Sequence, residues 1–515
     1  MPATRRATLA AAAPLIALAA LAPAASAAED GEITVAACPP GTMEPAELDE
    51  DCGGEALGAM FTGLVEYLPG GPATRYAVAS SITTRDNKVF TVRLKKGWRF
   101  HDGTEVKARN FVRAWSHGAR ASANGSYYFD HIAGFGKPTR TGVLSGLKVV
   151  DDHTFTITLN EPFGGFVPML GRLAFAPLPD SFFASPAEYH KAPVGNGPYR
   201  FVSRTDQDVT VERYDDYSGT ALPAATRIVY RTYSDWDAAY KALRDGQVDF
   251  APNLPRTTGL GGRVVNTPSG GIHVLNFPMK QPRISGNADF RRAVSMAIPR
   301  EAVGEEFGAS RVPADSFVPP PTPGARRGTC GEACAYDPAG ARAALAKARA
   351  AGFTPPRTFT IYYNADARNT RWARLAATAA TKALGGQVKV VAKGVPTFAD
   401  LLSRATRGRL AGAYRWAWLL DTPHMSDVLA TYRTGNSSNF TGYSDKGFDA
   451  LLAAADRTPS PARAATLYRR AEKILARDLP AIPLFFYRNV AGHSDRLSNV
   501  HTTLFGSLDV RSVEL

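Results

Sequence analysis

The chain lacks the compact motifs of common enzyme chemistry. Its 515 residues hold no G-x-S-x-G elbow, no H-E-x-x-H, no G-x-x-x-x-G-K-[ST] phosphate loop and no G-x-G-x-x-G. The nearest approach, Phe135-Gly136-Lys137-Pro138-Thr139, shares only its lysine with a phosphate loop, and Pro138 stands where a helix would have to donate backbone N–H groups. The nine histidines are scattered, with no two within four residues of each other. These absences weigh against an enzyme, although a catalytic triad need not be local in sequence. Cysteine is scarce as well, with four in all, and the lack of any C-x-x-C pair or neighbouring histidine disfavours zinc. No metal or cofactor is expected. Beyond the first two dozen residues no apolar run is long enough to cross a bilayer.

What is present begins with an export signal. Arg5 and Arg6 precede an apolar stretch from Thr8 to Ala24, and Ala25-Ser26-Ala27 supplies the small residues of a cleavage site. Residues 1–27 are therefore expected to be removed on general secretion, since a stretch this short, broken by Pro14 and Pro23, makes a poor membrane anchor. In an oxidising compartment four cysteines suggest two disulfides, and proximity favours Cys38 with Cys52 and Cys330 with Cys334. The formal net charge is +13, but the basic residues are dispersed, without the basic and aromatic blocks that follow a phosphate backbone. No nucleic-acid partner is expected. Long-range attraction to an anionic cell wall, screened by salt, is compatible with this charge.

A chain of this length exceeds one core, so two or three lobes are expected. Alternating Phe90, Val92 and Leu94, and again Phe155, Ile157 and Leu159, predict half-buried strands, the second within a hairpin over 146–160 turned at Asp151-Asp152. Between them Val106, Phe111, Val112 and Trp115 have helical spacing. Asp337-Pro338 opens a helix that closes at Gly352, and Ser460-Pro461 opens another that ends before Pro480. Residues 482–487, Ile-Pro-Leu-Phe-Phe-Tyr, read as a buried strand, and the Pro-rich 318–323 and Gly-rich 259–271 as loops or crossovers. The class is mixed, α/β or α+β.

Residues 89–115, VFTVRLKKGWRFHDGTEVKARNFVRAW, resemble the signature of the family 5 extracellular solute-binding proteins, the dipeptide- and oligopeptide-binding receptors of ABC importers. Further resemblances follow in order: PVGNGPYRF at 193–201, Arg213 and Tyr217 in a V-x-x-x-R-x-x-x-Y run, ALRDGQVDF at 242–250, LNFPMKQPRISGNADFRRAVSMAIPRE at 275–301, YDPAGARAALAKARAAGF, WLLDTPHMSDVL, NFTGYSDKGFDALL and LPAIPLFFY. Most of these motifs have a structural sense, since His101-Asp102-Gly103 and Asn196-Gly197-Pro198 are turn chemistry.

The resemblance implies a type II periplasmic-binding-protein-like fold with a hinge. Lobe I would take residues 28–75, 191–271 and 489–515, an extra subdomain 76–190, and lobe II 272–488, with chain crossings near 270 and 488. In peptide-binding relatives the W-x-x-D segment supplies an aspartate for the ligand's α-ammonium, which implies that role for Asp421. Thr422 and His424-Met425 depart from the relatives' pattern and leave the ligand's identity open. Trp416 and Trp418, two apart on a strand, share a face that either lines the pocket or fills the lobe. Tyr127 and Tyr128 are candidates for an aromatic wall from the small lobe. No residue stands out for a carboxylate.

The expected function is that of an exported, monomeric receptor that captures peptides and delivers them to a membrane permease. Ala27-Ala28 stands where such receptors often carry a lipidated cysteine, so the protein is expected outside the cell or at its surface without that anchor. Two alternatives are a same-fold receptor for a non-peptide solute (an amino-acid derivative, sugar or metabolite) in signalling or biosynthesis, and a hydrolase on a borrowed scaffold.

Overall fold

Alternation does become strand. Val89–Leu94 buries Phe90, Val92 and Leu94, and Thr154–Thr158 buries Phe155 and Ile157. The two pair antiparallel, and with Ala79–Thr84 and Leu147–Asp151 they make a four-stranded sheet. Helix Ala108–Gly118 lies against it with Phe111 and Trp115, whose ring centres stand 5.9 and 5.7 Å from that of Phe155. Burial of each such ring contributes about 1.5–3 kcal/mol. Trp115 keeps its polar atom satisfied by donating Nε1–H to the Phe175 carbonyl at 2.9 Å. The structure, a computed structural model, describes residues 31–38, 41–48, 54–120, 124–137 and 142–515. The expected leader and Cys52 lie outside them.

A second, larger sheet has eleven strands. At one end Lys389–Val395, Thr358–Asn364 and Gly412–Leu419 lie side by side. At the other are Phe250–Ala251, Glu32–Ala37, Arg227–Thr232, Asp208–Arg213 and Tyr199–Arg204. Two long strands, Val264–Asn276 and Ala481–His493, pair antiparallel between these groups and carry the chain from one to the other. The apolar run 482–487 is thus only the first half of its strand. The less apolar remainder stays extended because its backbone pairs with Val264–Asn276 and Phe250–Ala251. Pairing slips between Pro268 and Ile272, at Gly270 and Gly271. A Cβ on Gly271 would come within 2.8 Å of both Leu419 and Tyr487, so the two crossing strands can close up only because the side chain is absent.

The apolar cores follow this division. One cluster joins the four-stranded sheet to residues around Ile33, Tyr199, Ile228 and Val513, and two others are built from residues between Ile272 and Phe486. The first is called the first lobe here, and the latter two the second lobe. The motif at 193–201 explains itself in the first lobe. The N–H groups of Asn196 and Gly197 both reach the Met60 carbonyl, at 3.0 and 2.7 Å, while Asn196 pairs through its side-chain amide with both backbone groups of Thr62. A Cβ on Gly195 would sit 2.1 Å from that carbonyl oxygen.

The helix opened by Asp337-Pro338 is Pro338–Ala350, and the one opened by Ser460-Pro461 is Pro461–Asp478, stopped by Leu479 in the left-handed conformation (φ 45°). Cys330 and Cys334 form a disulfide, and Cys38 is disulfide-bonded. No helix among the described residues is long and apolar enough to cross a membrane.

Candidate functional site

Strand Gly412–Leu419 sets the site because it is only half enclosed. On one side it pairs antiparallel with Val264–Asn276 from Tyr414 to Leu419. On the other its parallel pairing with Thr358–Asn364 covers Gly412, Ala413 and Tyr414 alone. Residues 415–419 therefore have a ladder partner on one edge, and the other edge is available to an extended ligand.

Past the strand, Leu420 donates to the Gly270 carbonyl at 3.0 Å and the chain turns, presenting Asp421. The turn is held by Asp427, whose carboxylate accepts from the Thr422 N–H at 2.8 Å and from Trp418 Nε1–H at 2.6 Å. Burial, and next the charge of Asp421, push the Asp427 carboxyl well above its ordinary range, against the pull of those donors and of Arg172. Two carboxyl groups this close favour the arrival of a cation. From across the cleft Tyr127 donates its hydroxyl to Asp421 Oδ1 at 2.9 Å, and the Tyr128 hydroxyl lies 3.5 Å from the same atom. Arg172 donates to the Tyr128 hydroxyl at 2.6 Å, and its guanidinium lies over the Phe505 ring at 4.2 Å.

The structure thus brings together Asp421, Tyr127, Tyr128 and Trp418, the last through its bond to Asp427. It does not bring Trp416 to them. Trp416 is 8 % exposed, wedged against Phe398 and Phe440 with ring centres 5.3 and 4.6 Å away, so of its two possible places it takes the core. Asp427 and Arg172 were not singled out from the sequence. Asp427 had a signal, since it lies six residues past Asp421 at the start of a short helix, but Arg172 lies in an unremarkable loop and becomes visible only through the fold.

On the opposite face from Trp416 and Trp418, Arg415 projects near His273 and Arg311. Arg415 Nε, Arg311 Nε and His273 Nε2 are all buried and have no hydrogen-bond partner among the described residues. Arg311 lies flat on Tyr487, 3.3 Å from the ring centre. His273, enclosed by Trp372 and Phe485, is held well below its usual range by burial and then by the charges of Arg415 and Arg311. It is neutral, so the cationic character here belongs to the two arginines. Unmet buried donors beside two like charges are costly, and an anion would relieve both penalties. Among the described residues no cluster of metal-ligating side chains occurs.

The family model for bacterial extracellular solute-binding proteins, family 5, matches residues 74–440. The periplasmic oligopeptide-binding protein OppA of Escherichia coli (strain K12) is 27% identical over 479 residues, covering 86% of each chain. The probable deoxycholate-binding periplasmic protein YgiS of the same organism is 25% identical over 473 residues, covering 87% of this chain and 86% of that one. Among solved structures, the unliganded open form of the periplasmic murein tripeptide-binding protein MppA superposes with a TM-score of 0.82 at 22% identity, over 94% of this chain and 97% of that one. With a two-lobed architecture crossed by paired strands and a family model matching most of its length, the chain belongs to the bacterial extracellular solute-binding proteins, family 5.

Proposed function

We propose that this protein is the exported receptor of an ABC importer, that it captures a short peptide between its two lobes, and that it delivers the peptide to a membrane permease. The single observation that carries this reading is the polarity of the half-free strand. Asp421 and Asp427 stand past one end, Arg415 lies toward the other, and Arg311, paired opposite Tyr487, lies beside the strand between them. The six steps from Arg415 to Asp421 would span at most about 20 Å at ~3.3 Å per residue, and the turn after Leu420 shortens that span. Shortened by the reach of the arginine side chain, that distance suits an extended peptide of about three to five residues. Its ammonium meets Asp421, its backbone bonds to residues 415–419, and its carboxylate faces Arg415. The relative named for oligopeptides supports the same reading.

A second reading, capture of an organic anion without an amine, has one observation in its favour: Arg415 and Arg311 hold donors without a partner among the described residues, whereas Asp421 is already hydrogen-bonded by Tyr127. The relative named for deoxycholate gives it a concrete probe. Calorimetry on protein unfolded and refolded to strip carried ligand would compare tri-alanine, its N-acetyl and C-amide derivatives, and deoxycholate. Binding of tri-alanine, weakened by blocking either end, is the expected result. Binding of deoxycholate with none of the peptides would replace the peptide reading with the second.

A further inference from the structure

A cavity of about 220 Å³ opens in the first lobe beside the acidic end of the site, and the ligand contacts described above leave it empty of any role. Arg172 and Tyr128 form part of its wall, and the Tyr128 hydroxyl lies 3.5 Å from Asp421 Oδ1. An ammonium held by Asp421 is therefore within one side chain's length of this space. The cavity exists because of what helix Glu55–Met60 lacks. Gly54 and Gly58 both border it, and a Cβ built on Gly58 meets no atom within 4 Å. The neighbours Ala56, Leu57, Ala59 and Met60 are buried in the lobe, so the helix is anchored on one face and bare on the other.

The wall chemistry selects the guest. Part of its charge is already paired: Arg511 binds both Glu66 and Asp509 and donates to the Tyr67 carbonyl at 3.2 Å. Beside Thr62, Thr503 and Ser507, the space is faced by Phe61, Tyr67, Leu173 and Phe505, together with the guanidinium of Arg172, which lies over Phe505 and donates to the Tyr128 hydroxyl. A charged guest would compete with settled ion pairs, whereas an aromatic ring gains apolar burial and edge or face contacts with rings already present.

We infer that this first-lobe cavity is the specificity pocket for the side chain of the ligand's amino-terminal residue, and that it prefers an aromatic ring. The inference rests on the peptide reading, with Asp421 as the ammonium anchor. It is tested by calorimetry with the tripeptides X-Ala-Ala, where X is Ala, Leu, Phe, Lys or Asp, on wild type, Gly58→Leu and Gly58→Ala. Wild type is expected to bind Phe-Ala-Ala at least tenfold more tightly than Ala-Ala-Ala, with Leu between them and the charged residues no better than Ala. Gly58→Leu, which projects a side chain into the space, is expected to shrink the Phe-to-Ala ratio to near one, and Gly58→Ala, which leaves most of the space, to keep it. Equal affinities across X, a preference for Lys or Asp, or a Phe preference that survives Gly58→Leu would each overturn the pocket while leaving peptide capture intact. Failure of every tripeptide to bind wild type would overturn both.

Discussion

Arg415 lies within strand Gly412–Leu419 and Asp421 in the turn just past its end, and the protein treats their charges in opposite ways. At the acidic end every group is engaged: Tyr127 reaches Asp421 from the other lobe, and Trp418 and the Thr422 N–H hold Asp427. Around Arg415, Arg311 and His273 three nitrogen atoms are buried without a hydrogen-bond partner among the described residues. A ligand therefore has to compete for the first end and only to arrive at the second. The difference teaches where discrimination and affinity are expected to arise. Displacing existing hydrogen bonds at Asp421 rewards only a strong cationic donor, whereas satisfying orphaned donors at Arg415 and Arg311 is nearly pure gain.

The sharpest way to break this comparison is Asp421→Asn, which keeps the shape and removes the charge. Truncating one partner of an enclosed charge pair costs on the order of 2–5 kcal/mol, so the affinity for tri-alanine is expected to fall by at least about thirtyfold. Binding of N-acetyl-tri-alanine, already without its cation, is expected to change little. Calorimetric titration of both ligands checks this, and an equal loss for the two would mean that Asp421 serves the fold and not the ammonium.

At the opposite end Arg415→Gln is expected to weaken tri-alanine by about 2 kcal/mol, some thirtyfold, a loss limited by Arg311 remaining beside it. The C-amide of the same peptide is expected to lose less than threefold. If instead the amide and the free acid suffer alike, the unpartnered guanidinium nitrogens mark no carboxylate site.

A third carboxyl separates burial from ligand binding. Asp456 is 7 % exposed and lies where the inserted four-stranded sheet meets the second lobe. Tyr468 donates to its Oδ1 at 2.5 Å, and Asn87 of the inserted part donates to its backbone carbonyl at 2.8 Å. Burial raises its carboxyl to about 6, against the Tyr468 and Gly164 hydrogen bonds and the charge of Arg433, while Glu161 adds to the rise. An acid raised in the folded state binds more protons folded than unfolded between its ordinary value near 4 and 6. Its contribution is thus most favourable below that window and is lost as pH rises through it. The stability of wild type minus that of Asp456→Asn is expected to fall by on the order of 1–2 kcal/mol between pH 4 and 7. Denaturant unfolding of the two proteins across that range is the measurement, and a flat difference would show that the ionised carboxylate is fully compensated in place.

How far the sequence reaches follows the same division between local and distant signals. Alternation at Phe90–Leu94, the Asp337-Pro338 and Ser460-Pro461 helix starts and the short C-x-x-x-C spacing are local, and each became the expected element. Asp421 could be reached through a family pattern and Trp416 could not be placed, because two residues apart on a strand fixes a shared face but not which of two faces looks inward. Arg172, Arg311 and His273 were invisible for a different reason. Each comes from a separate stretch, 172, 311 and 273, and meets its neighbours only once distant parts of the chain have come together. Tyr127 and Tyr128 were proposed as a wall, yet their hydroxyls, and not only their rings, face the site.

Those hydroxyls give the comparison its finest test. Tyr127 is 41 % exposed and its ring lies 4.2 Å from that of Tyr128, so Tyr127→Phe is expected to keep the packing and lose only the bond to Asp421. A hydrogen bond of this kind is worth about 0.5–1.5 kcal/mol net, and the exposure argues for the lower part of that range. If Tyr127 holds the place of the ligand's ammonium, its loss raises the affinity for tri-alanine by about two- to fivefold, because the empty receptor gives up less on binding. If the hydroxyl instead stays to share Asp421 with the bound ammonium, the same substitution lowers the affinity. The sign of the change, read by calorimetry beside N-acetyl-tri-alanine as the control, therefore decides whether the acidic end is a site that ligand must win from the protein or one the protein keeps partly for itself.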